Sequence, residues 1–254
     1  MKLLFSEYKS DYDHYIFPYA IWGFPEADET PAFFFDNGFL PSSRNLDRYY
    51  MCRHVRVKLK DFVPSSENRR ILRKGENIAA SQVERAAFEF NLSRREFCKQ
   101  YADNRFGQEI MTLERLDGLF NSSVCTHVMI FTDQESQKEI GLVVLYLQAP
   151  AAGFYYYSFY DLNYLNRNLG MYMMTRCVLS LAEQGFEYIY LGSCYSRNAL
   201  YKTQFAGFQF WNGFRWSENL EELKYLISRD SGAVDRHLLE DSEYQQLYYP
   251  HGIP

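Results

Sequence analysis

Long hydrophobic runs, paired cysteines and glycine-rich phosphate loops are all missing from this chain. No stretch approaches ~18 consecutive apolar residues, so no helical membrane span is expected. The apolar run at the start, Leu3 to Phe5, is too short for a signal peptide. The five cysteines, Cys52, Cys98, Cys125, Cys177 and Cys194, are odd in number and scattered. No two form a C-x-x-C pair, which excludes a zinc ribbon and a disulfide framework and points to a reducing cytoplasm. His14, His54, His127, His237 and His251 stand apart and no H-E-x-x-H occurs, so no metal site is expected. There is no G-x-S-x-G, no P-loop and no G-x-G-x-x-G.

Aromatic residues, by contrast, are plentiful. They make up 18% of the 254 residues, with 22 Tyr and 21 Phe. That exceeds what a core needs, and tyrosine adds a hydroxyl, so polar pockets or stacking surfaces are expected. With 47% apolar and 23% charged residues the chain is globular, and its length allows one large domain or two small ones. The net charge of −5 argues against a protein that simply coats nucleic acid. Charge is nonetheless uneven. Arg53, Arg56, Lys58, Lys60, Arg69, Arg70, Arg73 and Lys74 face only Asp61 and Glu67 within 53–74, a compact anion-seeking patch on an acidic protein.

Residues 1–50, with Pro18, Pro25, Pro31 and Pro41, read as loops and short helices. Val55, Val57 and Leu59 alternate with Arg56, Lys58 and Lys60, which predicts a half-buried strand with a positive outer face. After Pro64-Ser65-Ser66 a short helix gathers Arg69, Arg70, Arg73 and Lys74 on one side. Residues 81–104 read as helix in two pieces, the second starting at Arg94 behind a Ser93…Glu96 capping box. An antiparallel meander follows over 124–132, 139–148 and 154–160. Met171, Met174, Val178 and Leu181 then mark a helix ending at Gly185. A strand at 187–192, a short helix at 198–206 and a strand at 208–216 come next, and 217–254 reads as an acidic surface helix with an extension. Strand–helix–strand implies a parallel pair. The order resembles the GNAT acyltransferase architecture: an α/β (α+β) fold with a mixed sheet, flanking helices and a smaller N-terminal region. The expected division is 1–80 and 81–254. GNAT enzymes grip a pyrophosphate at Q/R-x-x-G-x-G/A. Arg167 and Gly170 fit, but Tyr172 replaces the last small residue, and a ring there would crowd coenzyme A.

Several blocks in order carry a more specific likeness. They are Cys52-Arg53-His54-Val55-Arg56-Val57; Pro64-Ser65 with Arg69-Arg70-Ile71-Leu72-Arg73-Lys74; Tyr101, Arg105 and Met111; Tyr157-Ser158-Phe159-Tyr160-Asp161 with Asn168-Leu169-Gly170; Tyr188-Ile189-Tyr190-Leu191-Gly192; and Tyr201-Lys202-Thr203-Gln204-Phe205. In these the chain resembles the arginyl/leucyl-tRNA–protein transferases of the N-degron pathway, most closely their bacterial form. Departures are Arg48-Tyr49-Tyr50-Met51 in place of a cysteine-bearing loop, Phe106 for His, Asn168 for Ser, Ser193-Cys194 for Tyr-Trp and Ala206-Gly207 for Arg-Pro.

The resemblance implies an enzyme moving Arg or Leu from tRNA to the α-amine of a protein or peptide beginning with Asp or Glu. No cofactor beyond the aminoacyl-tRNA donor is implied, no membrane partner, and a cytoplasmic location. Tyr157, Asp161, Tyr190, Tyr201 and Lys202 are the catalytic candidates, with Lys202 either paired to Asp161 or facing the oxyanion. Arg56 and Arg105 suit an acidic N-terminus. Arg167 and Asn168 would join the substrate site, and Arg69, Arg70, Arg73 and Lys74 would meet tRNA phosphates. The alternatives are an acyl-CoA N-acyltransferase of the same fold and a non-catalytic relative binding tRNA or degrons.

Overall fold

The computed structural model describes every residue except Ala233, Ile253 and Pro254, and Arg167 in its backbone alone. Two sheets form its frame. The smaller contains β1 (Lys2–Glu7), β2 (Tyr19–Phe24), β3 (Phe39–Pro41) and β4 (Tyr49–Met51), all antiparallel in the order β1-β2-β4-β3. Between β2 and β3 lies α1 (Pro31–Asp36). Thr30 caps it by accepting from Phe33 N, and Pro31 occupies the first turn, where its missing N–H costs nothing. This helix buries Phe34 and Phe35, and Phe34 stacks on Tyr49 with centroids 4.0 Å apart. Residues 1–50 are therefore a sheet and a helix rather than loops and short helices. The strands pair with partners distant in sequence, which no local pattern reveals.

The larger sheet has eight strands: β5 (His54–Lys58), β6 (Ile78–Glu84), β7 (His127–Asp133), β8 (Lys138–Gln148), β9 (Ala152–Tyr160), β10 (Tyr188–Ser193), β11 (Phe208–Trp211) and β12 (Trp216–Ser217). Their order is β12-β11-β5-β10-β9-β8-β7-β6. The helices are α2 (Ser66–Lys74), α3 (Leu92–Phe106), α4 (Leu113–Phe120), α5 (Leu169–Glu183), α6 (Leu220–Asp230) and α7 (Ser242–Tyr248). The meander β7-β8-β9 and the α5 crossover stand as the strand–turn order and the helical period predict. The fold is the expected mixed α/β sheet with flanking helices. Both 1–80 and 81–254 feed the large sheet: β5 lies three strands in from one end, and β6 spans residue 80.

One feature of the sheet creates the site. β9 and β10 run parallel but pair only over Ala152–Phe154 against Tyr188–Tyr190. Beyond that, β9 continues to Tyr160 on β8, while β10 follows β5. A bulge at Leu191, with Gly192 at φ +84°, turns the end of β10 further. The two strand ends splay apart.

Three layers of core hold this arrangement. On one face Val55, Val57, Ile189 and Leu191 pack with α5 and α6. On the other, α3 and α4 cover Val128, Leu142, Val144 and Phe159, and the N-terminal sheet covers Tyr146, Phe154 and Tyr190.

Several expectations are corrected here. β5 is not half-buried: its His54–Val57 segment is buried throughout, because the N-terminal sheet roofs the face that carries His54 and Arg56. Residues 81–84 are strand, since Ile78–Glu84 pairs in full register with β7. The helix after it is capped by Asn91, which accepts from Arg94 N, and a further helix, α4, precedes the meander. The acidic tail is not a surface appendage. In α6, Glu222 is 1% exposed and accepts from Asn212 Nδ2 (2.9 Å), Tyr244 OH (2.6 Å), Tyr249 OH (2.9 Å) and Ser217 Oγ (2.5 Å). A buried carboxylate is tolerated when its lone pairs are filled in this way.

Candidate active site

The splay between β9 and β10 opens into a cleft of about 510 Å³. β9 contributes Tyr155, Tyr156, Tyr157, Ser158 and Tyr160. Helix α3 contributes Tyr101, Arg105 and Phe106; α5 contributes Gly170, Met171 and Met174; β10 contributes Leu191. Tyr201 and Lys202 close it from the 3-10 turn Arg197–Thr203. Among the described residues the lining holds no carboxylate.

Lys202 Nζ donates to the Ser193 carbonyl at 2.8 Å, so the turned end of β10 fixes its head at the cleft. Burial pulls this ammonium's pKa below the ordinary lysine value, with Cys194 and Cys52 pulling weakly the other way. Burial also raises the phenols of Tyr201 and Tyr101, and takes Tyr156 to about 12. They stay protonated at neutral pH and are hydrogen-bond donors. Tyr160 lies over the first turn of α5: a Cβ on Gly170 would meet its ring carbons at 3.1 Å. Its ring also lies 4.7 Å from that of Tyr101. Asn168, in the left-handed region at φ 56°, turns the chain into α5.

The sequence candidates divide. Tyr157, Tyr201, Lys202 and Arg105 line the cleft together. Asp161 does not pair with Lys202. Its carboxylate accepts from Lys138 Nζ (2.8 Å) and from Asn163 N (3.0 Å) and Nδ2 (2.8 Å), capping the turn Leu162–Arg167. Burial pushes its pKa up, but Lys138 and the Asn163 amides outweigh it and hold the carboxyl below the usual range. It faces an adjoining polar recess with Gln100, Asn104 and Lys138, which shares the Tyr101–Tyr160 wall with the cleft.

Tyr190 is 1% exposed and packs on Phe35 behind the sheet. Arg56 lies beside it, 5% exposed, bonded to Asp36 Oδ1 (2.5 Å), Gln209 Oε1 (2.8 Å) and Tyr190 OH (3.3 Å), between the rings of Trp216 and Tyr188. Its Nε and Nη1 donors are engaged, and it is not among the residues lining the cleft. Asn168 is exposed and is not part of the lining. The Arg167 side chain lies outside the described residues.

The basic helix α2 starts at a Ser65–Asn68 capping box and leans on α5, whose first turns line the cleft. Gly75 permits this: a Cβ there would stand 2.2 Å from the Tyr172 ring. The Tyr172 hydroxyl donates to Ile78 O at 2.8 Å, so its ring fills the seam between the helices and does not crowd the start of α5. Tyr160 covers that turn instead. Arg69 and Arg70 make local bonds to Pro64 O and Glu67, and all four cations, Arg73 and Lys74 included, are exposed.

Residues the sequence reading did not assign to the site are Tyr101, Tyr155, Tyr156 and Tyr160, along with Met171 and Met174 as cleft wall rather than plain core. The signals available were the run of three tyrosines at 155–157 and the place of Tyr101 and Tyr160 in the blocks of resemblance. Among the described residues no group of three or more His, Cys, Asp or Glu side chains is gathered, and no helix is long and apolar enough to cross a membrane.

No protein-family model matches the chain. Among curated proteins it is similar to the aspartate/glutamate leucyltransferase of Cereibacter sphaeroides, 25% identical over 175 residues, covering 66% of this chain and 62% of that protein. The protein of the same name from Methylorubrum extorquens is 31% identical over 170 residues, with 61% and 66% covered. The chain thus spans a little under two thirds of these relatives. Solved structures show looser likeness. L-PGS from Bacillus licheniformis gives a TM-score of 0.45 at 13% identity, covering 77% of this chain and 56% of that one. A GCN5-related glucosamine N-acetyltransferase region in a fungal GH3 β-N-acetylglucosaminidase gives 0.42 at 13%, covering 74% and 23%.

Proposed function

We propose that this chain, a leucyltransferase-like sequence, transfers an apolar amino acid of the leucyl type from aminoacyl-tRNA to the α-amine of an acidic protein N-terminus. The observation that carries the reading is the composition of the cleft. Met171, Met174 and Leu191 offer an apolar wall for a leucyl side chain. An arginyl side chain would need a carboxylate, and the lining has none among the described residues, while Arg105 and Lys202 would repel it.

The same two cations suit an acceptor. Arg105 presents a forked donor to an Asp or Glu side chain. The acceptor α-amine has a pKa of about 7.7–8, so a useful fraction is neutral near pH 7. It attacks the ester carbonyl; the C–N bond forms and the C–O bond to the ribose breaks. The nitrogen's proton leaves with the departing ribose oxygen. Between these events the carbonyl oxygen carries negative charge, and the Lys202 ammonium with the Tyr201 hydroxyl is placed to stabilise it. Alignment supplies the rest. Tyr157 or Phe106 offers a ring for the terminal adenine, and α2 offers cations to the acceptor-stem phosphates.

The test is direct. Labelled leucyl-tRNA and arginyl-tRNA are each incubated with the protein and with peptides beginning Asp, Glu or Ala, and products are read by mass. Leucine should appear on the first two peptides. Transfer of arginine alone would refute the donor assignment. No transfer from any charged tRNA, with coenzyme A raising the melting temperature, would replace the reading with acyl-CoA chemistry.

A further inference from the structure

We infer that β1 is an interface between two copies of this chain, paired antiparallel about Leu4. The small sheet ends in β1, which has β2 on one side and no strand on the other among the described residues. All six of its residues are exposed, among them Leu3 (42%), Leu4 (48%) and Phe5 (58%). Its N–H and C=O groups on the open side form a free ladder.

Edge strands are ordinarily blunted, and the other edge strands of this protein are. β12 is two residues long, β3 is three residues long, buried and ends in Pro41, and β6 carries Ser81, Gln82 and Glu84. β1 is six residues long, and its polar residues, Lys2, Ser6 and Glu7, are confined to its two ends. It contains no proline, its register with β2 is unbroken, and Leu3, Leu4 and Phe5 run apolar in succession. Alternation puts Leu3 and Phe5 on one face and Leu4 on the other, so each face offers apolar contact.

The strand is also self-complementary. A two-fold axis through an antiparallel pair must set one residue opposite its own copy, because only residues of like parity point their backbone groups outward. Centred on Leu4, the pairing sets Leu4 against Leu4, Leu3 against Phe5 and Lys2 against Ser6. Lys2 at one end and Glu7 at the other give the strand opposite charges at its termini. Antiparallel alignment lays each Lys2 beside the Ser6–Glu7 end of the second copy, whereas parallel alignment would place like charges together. The result is one continuous eight-stranded sheet built from two N-terminal sheets.

Sedimentation velocity over a wide concentration range should show a concentration-dependent dimer. Leu4→Cys should form a disulfide-linked dimer under mild oxidation, because the native cysteines are all buried and position 4 faces itself. Lys2→Cys should not, since it faces Ser6. Leu4→Lys, which sets two ammonium groups face to face, should abolish the dimer with its circular dichroism unchanged. A chain that stays monomeric throughout overturns the inference and leaves the edge to a different protein. A dimer that survives Leu4→Lys, or fails to cross-link at position 4, overturns it as well.

Discussion

Replacing Arg56 by methionine should cost stability and leave acceptor recognition alone. The guanidinium is buried, and its partners differ in worth. Asp36 is 62% exposed, so it regains water when the pair is lost, and that contact contributes roughly 0–1 kcal/mol. The bond from Nε to Gln209 lies in the interior and is a charged one, worth about 1.5–3 kcal/mol. The guanidinium carbon lies 3.8 Å from the Trp216 centroid and 4.0 Å from that of Tyr188, and these contacts add ~1–2 kcal/mol in a desolvated setting. Methionine refills part of the volume but offers no donor to Gln209 or Tyr190. The expected loss is about 3–5 kcal/mol. For a chain of this size each kcal/mol shifts the melting temperature by ~2–4 °C, so the melt should fall by about 6–20 °C. The assay is thermal denaturation followed by circular dichroism, alongside transfer kinetics measured well below the melt. An unchanged melting temperature together with a raised KM for Asp and Glu peptides would refute the reasoning and return Arg56 to the acceptor site.

Lys202→Met should lower kcat by ~10²–10³ with the fold intact, the usual effect of removing an oxyanion donor. The ammonium is present below its pKa and lost above it, and burial has lowered that pKa. Wild-type activity should therefore rise with the acceptor amine and then fall below the ordinary lysine range, and the pH–rate profile of the variant should lack the falling limb. Arg105→Gln should raise KM for peptides beginning with Asp or Glu by ~10–100-fold, as loss of a hydrogen-bonded charge does, while leaving any neutral peptide unaffected in steady-state kinetics. Gly75→Ala should destabilise by about 1–3 kcal/mol through overpacking, because the added methyl meets a Tyr172 ring that its bond to Ile78 O holds in place; denaturant unfolding measures this.

The sequence by itself determined the elements whose signals are local. Met171, Met174, Val178 and Leu181 recur at helical spacing and give α5; the short apolar and aromatic runs on either side, bounded by turns, give β7, β8, β9 and β10; the basic run after Pro64-Ser65-Ser66 gives α2. The order of these elements carries the parallel crossover with it, because a strand followed by a helix and another strand has few other ways to pack. What only the tertiary structure decided is where each side chain ends up. Tyr157 and Tyr190 both sit on strands flanking the splay and look alike in sequence. One lines the cleft and the other lies under Phe35, because strand pairing and the roof of the N-terminal sheet set which face is covered. The same roof turned the arginine of an apparently solvated strand, Arg56, into a buried one, and Lys138 from across β8 took Asp161 away from Lys202. Helix and strand periods depend on neighbours a few residues away, whereas burial and ion pairing depend on segments that meet after folding, and Arg56 and Asp36 or Asp161 and Lys138 meet in no pattern a linear chain displays.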